Sequence, residues 1–95
     1  MPSTLKGKIV SVDASGNLVT DIAAAALSDT PTDEQTSIAC GGHVTCGIFP
    51  ANHGQPEMTF LAILGDSGQL ELTLVGDDIQ AFLGLHVGLE VVVKW

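Results

Sequence analysis

Short apolar runs, each closed by a glycine-bearing turn, leave this chain little room for anything but strands. The glycines number 11 in 95 residues. KGKIVSVD (6–13) and NLVTDI (17–22) flank the turn Ala14-Ser15-Gly16, where a glycine suits positive φ. TSIAC (36–40) and HVTCGIF (43–49) flank Gly41-Gly42, a hairpin signal. MTFLAILG (58–65) is almost continuously apolar and predicts a strand buried on both faces. QLELTLV (69–75) sets Leu70, Leu72 and Leu74 against Gln69, Glu71 and Thr73 with period two. LEVVVKW (89–95) predicts a closing strand.

Two segments break the pattern. AAAALS (23–28) favours a helical turn, followed by a Thr/Asp/Pro-rich loop. DDIQAFLGL (77–85) predicts a short helix near residues 77–84. Asp77 or Asp78 would cap it, Gly84 would end it, and Ile79, Phe82 and Leu83 would share a face. About seven short strands and one short helix predict an all-β fold, either a small closed barrel or a small sandwich. The expected organisation is one domain over residues 1–95.

Charge narrows the function. Eleven acidic residues face only Lys6, Lys8 and Lys94, and the net charge is −8. Without arginine or a basic face, neither nucleic-acid binding nor bidentate phosphate recognition is expected. No apolar run reaches membrane-span length, and MPSTLKGKIV lacks a signal-peptide pattern, so the expected place is the cytoplasm. The low charged fraction, 15%, suggests a surface covered by a partner or a second copy.

Catalytic and metal-binding signals are weak. Cys40, His43, Cys46 and His53 are zinc-ligand types, but Cys40 and Cys46 are spaced C-x5-C. Strand alternation sends His43 and Thr45 one way and Val44, Cys46 and Ile48 the other. The expected reading is two core thiols and two surface histidines, with no metal. No G-x-S-x-G elbow or nucleophile–base pair stands out. Gly65-Asp66-Ser67-Gly68 lies between strands, where a phosphate loop would lead into a helix.

The order of these motifs carries a resemblance. GKIVSVDASGNLVTDI (7–22), with Asp13, Gly16-Asn17 and Thr20-Asp21-Ile22, resembles the opening of the C-terminal domain of the S-adenosylmethionine hydroxide adenosyltransferases. That family includes the fluorinase and chlorinase. LAILGDSGQLELTLVGDDIQAFLGLHVGLEVVV (61–93) resembles its closing half: apolar strand, small-residue turn, alternating strand, short helix ending Leu-Gly-Leu, final strand. Gly41-Gly42, Gly47 and Ala51-Asn52 are a looser match between them.

The resemblance implies a Greek-key barrel that supplies one wall of a ligand site between subunits. It implies that Asp13 and Asn17 hold the methionine part of the ligand. Asp66, Ser67, Val75 and Gly76 would help hold the adenosine. Several positions depart from the family: Ser15 stands where an aromatic is usual, Asp21 replaces Asn, Asp66 replaces Ser, and Val75 replaces Asn. The family's catalytic N-terminal domain has no counterpart in these residues. The leading expectation is therefore a stand-alone, non-catalytic domain that self-associates or docks on another protein. The alternative is a half-site that binds S-adenosylmethionine or adenosine beside a separate partner. No resident cofactor is expected in either case.

Overall fold

Alternating β-branched and leucine side chains give eight strands among the described residues, and all eight join one sheet that curls into a nearly closed barrel. The computed structural model describes residues 3–50, 52–65 and 67–95. The strands are β1 (Thr4–Val12), β2 (Leu18–Ala23), β3 (Ser37–Cys40), β4 (His43–Cys46), β5 (Ile48–Pro50), β6 (Phe60–Leu64), β7 (Gln69–Leu74) and β8 (Glu90–Lys94). Their order in the sheet is β4-β3-β8-β1-β2-β7-β6-β5. Every pairing is antiparallel except β5 with β6.

The sequence predicts one strand over 43–49, but the structure divides it in two. Gly47 has φ +84°, and its N–H donates to Thr36 O at 2.8 Å. A left-handed residue cannot continue a ladder, so the chain turns there and β5 pairs with β6 instead. The two ends of the sheet are thereby neighbours in sequence. The Thr45 hydroxyl donates to Phe60 O at 2.9 Å and links β4 to β6 across the remaining gap.

The barrel interior is apolar. Leu18, Ile38, Leu70, Leu72, Val91 and Val93 are fully buried there, as period-two alternation along their strands requires. Gly41 and Gly42, at φ +57° and +87°, make the expected hairpin between β3 and β4. Ala24–Leu27 forms a 3-10 turn. The short helix α1 (Ile79–Leu83) is capped by Asp78, whose side chain accepts from the N–H groups of Gln80 and Ala81. Gly84, at φ +69°, ends it. Only Ile79 and Leu83 of the predicted apolar face turn inward, while Phe82 is exposed. A five-residue helix places one i, i+4 pair on its contact stripe, and i+3 falls to the side. No helix among the described residues is long and apolar enough to cross a membrane.

Strand β7 departs from the half-exposed strand that its alternation suggests. Every residue from Leu70 to Leu74 is buried, including Glu71 and Thr73. On the outer face of the barrel, pairing aligns Ser11, Val19, Glu71 and Ile63 in one row across β1, β2, β7 and β6. Val19 and Ile63 are buried although neither belongs to the interior core. This part of the outer face is thus sheltered, and a cleft opens on it.

Candidate functional site

Two turns and one loop surround that outer face. The β1–β2 turn is built by Asp13, whose Oδ1 accepts from the N–H groups of Ser15 at 2.8 Å and Asn17 at 2.9 Å. Asp13 N–H also donates to Asn17 O at 3.0 Å. Gly16, at φ +87°, completes the turn. The β6–β7 turn closes with Gly68 N–H donating to Gly65 O at 3.2 Å. The third element is the loop around residues 52–57, which brings in His53.

Between them lies a cleft of about 520 Å³. Ile63, Glu71 and Thr73 line it from the barrel, with Asp13, Ser15 and Asn17 on one side, Gly65 and Ser67 on another, and His53 from the loop. Of the residues expected at a site, Asp13, Asn17 and Ser67 meet here. Val75 and Gly76 do not line the cleft. Val75 is held elsewhere by its backbone: its N–H donates to Thr59 O at 3.0 Å, and its carbonyl accepts from Met58 N–H at 2.7 Å. Gly76 faces the Glu57 side chain. Asp66 and Ala51 lie outside the described residues.

Glu71 is the residue that sequence alternation assigns to an ordinary solvated face. It is 2% exposed. Ser67 Oγ donates to its Oε2 at 2.6 Å, and Asn17 Nδ2 approaches its Oε1 at 3.4 Å. A side chain on Gly65 would overlap this carboxylate, so the glycine is what lets Glu71 lie against the turn. Burying a carboxylate is costly unless it is paired. The three basic residues, Lys6, Lys8 and Lys94, lie on β1 and β8, and none lines the cleft. The site therefore offers several oxygen acceptors and no fixed cation. Its chemistry suits a cationic or hydrogen-bond-donating ligand.

The four candidate metal ligands are scattered. Cys40 is buried, and burial pushes its thiol above the ordinary value. Cys46 is exposed, which corrects the expectation of two core thiols. Because β4 ends at Gly47, Val44 and Cys46 remain on the outside while Ile48 turns inward. His43 and His53 are half-buried rather than surface groups. His43 Nε2 lies 3.1 Å from Leu83 O, and its ring meets Phe60 edge-on. Among the described residues, no three His, Cys, Asp or Glu side chains are arranged to hold a metal ion.

Residues 7–92 match the family described as the SAM hydroxide adenosyltransferase C-terminal domain. The chain belongs to that family. No curated protein matches it. Two solved structures share the fold of this adenosyltransferase C-terminal domain. An uncharacterised conserved protein from Thermotoga maritima is 20% identical with a TM-score of 0.74, covering 93% of this chain and 34% of its own. A conserved hypothetical protein from Thermus thermophilus is 24% identical with a TM-score of 0.69, covering 90% of this chain and 33% of its own. The chain thus spans about a third of the length of these structures.

Proposed function

We propose that this barrel is a non-catalytic binding module that presents an acidic half-site to S-adenosylmethionine or adenosine. A second wall would come from another polypeptide. The observation that carries the reading is Glu71, a buried carboxylate that shares with Asp13 a cleft that no lysine lines. A ligand ammonium or sulfonium would complete the charge balance there. Asp13 keeps Oδ2 for such a ligand, because Oδ1 is engaged in the turn. Family membership supports the choice of ligand, and the chain's share of its structural relatives supports a composite site.

Titration of the isotopically labelled domain with each ligand tests this. The expected result is saturable shifts at Asn17, Ser67 and Glu71, with affinity reduced tenfold or more in Glu71→Gln. Absence of shifts up to millimolar ligand would overturn it.

A second reading, an assembly module, is favoured by the exposed Val10, Val12, Val44, Met58, Phe82 and Val87. Sedimentation at high concentration decides it: a dimer or trimer supports it, and a monomer that meets no partner counts against it.

A further inference from the structure

The cleft also contains a group of opposite character. His53 lines it from the loop side. Its Nδ1 accepts from the backbone N–H of Gln55 at 2.9 Å. A backbone amide only donates, so Nδ1 carries the lone pair and the ring proton belongs to Nε2. The neutral imidazole is thereby fixed as a donor from Nε2, with its tautomer set by its own loop.

Most of the polar atoms around it are acceptors. Asp13 and Glu71 supply carboxylate oxygens, and the Ser67 hydroxyl proton is already given to Glu71. A plain amine would satisfy these acceptors and leave the imidazole N–H without a role. A group that carries both an ammonium and a carboxylate uses both. Its ammonium would meet the acidic side, and its carboxylate would accept from His53 in a charge-assisted hydrogen bond.

We propose that His53 is the carboxylate-recognising residue of this cleft, which selects ligands bearing an α-amino-acid zwitterion over those bearing only an amine. The proposal rests on the binding function above and names the residue that discriminates among its ligands. His53 acts by direct contact, from a loop that the barrel's alternating pattern does not specify.

The test compares S-adenosylmethionine with its decarboxylated analogue, which keeps the sulfonium and the amine. By titration, the wild-type domain should bind the carboxylated compound about tenfold more tightly, the usual size of one charge-assisted contact. His53→Ala should remove that preference by weakening the carboxylated compound about tenfold more than the decarboxylated one. His53→Gln, which keeps an N–H donor, should retain part of it. Amide spectra of both variants report whether the barrel is intact. Equal affinity for the two compounds in the wild type would overturn the role of His53 alone. Equal weakening of both in His53→Ala would overturn it too, by making the residue structural. If neither compound binds the wild type, the binding function itself falls, and this proposal with it.

Discussion

Ser67 donates its hydroxyl to Oε2 of Glu71 at 2.6 Å, tying the turn before β7 to a carboxylate within β7. The other oxygen of Glu71 faces Asn17 at 3.4 Å. One buried side chain thus joins the two turns that frame the cleft. Its neighbours in the cross-strand row, Val19 and Ile63, are apolar. The carboxylate is out of place in packing terms, which makes its replacement informative.

Glu71→Leu is expected to leave the barrel as stable as the wild type or more so. No lysine lines the cleft, so an apolar side chain removes a buried carboxylate with its desolvation cost and orphans no cation. The same change should weaken S-adenosylmethionine binding tenfold or more. Thermal melting and titration of one variant read both effects. A Glu71→Leu protein that unfolds would assign the carboxylate a structural role instead.

Gly65→Ala is expected to destabilise the domain by about 1–3 kcal/mol, the usual cost of forcing atoms into filled space. The added methyl group meets the Glu71 carboxylate, so either the turn or the carboxylate must move. Urea unfolding measures the loss. In Glu71→Ala the obstacle is gone, and adding Gly65→Ala to it should cost much less. Additive effects in that double-mutant cycle would refute the contact.

Asp13 serves the turn and the cleft with different oxygens, and two substitutions separate them. Asp13→Asn keeps a carbonyl oxygen for the N–H groups of Ser15 and Asn17. It should fold normally and bind cationic ligands weakly. Asp13→Ala removes both turn bonds and should cost about 0.5–1.5 kcal/mol, the net worth of a hydrogen bond whose donor can turn to water instead. Similar melting temperatures for the two variants would show that the turn does not depend on this side chain.

Much of the barrel is legible in the sequence because period two and turn glycines are local signals. Gly16, Gly41 and Gly42 mark turns by the positive φ they adopt. The α1 cap at Asp78 and stop at Gly84 follow from the same kind of local rule. Of the site, Asp13, Asn17 and Ser67 come from matching family motifs, and the structure brings them to one cleft. Glu71 is hidden for a physical reason. Alternation tells which residues share a face, but not whether the turns and loop beside that face shelter it. His53 is visible in the sequence only as a zinc-ligand type, because its place at the cleft depends on a polar loop whose path is set by the tertiary fold. The break at Gly47 is hard to see because Ile48-Phe49 continue the apolar character of a single strand.

Cys40 provides a pH signature of the core. It is buried on β3, and burial raises its thiol above the ordinary value of 9.0. Below that value the thiol is protonated in both folded and unfolded chains, and it contributes no pH dependence. Above it the unfolded chain releases the proton first, so the folded state binds more protons and stability falls as pH rises. The slope from one such group reaches at most about 1.4 kcal/mol per pH unit. The exposed Cys46 is best removed beforehand as Cys46→Ser, so that only the buried thiol remains. Urea unfolding of Cys46→Ser between about pH 8 and 10 should then show a decline that Cys46→Ser/Cys40→Ala lacks, over and above the constant cost of the smaller side chain. Parallel profiles for the two proteins would mean that the Cys40 thiol ionises equally well in the folded and unfolded chains.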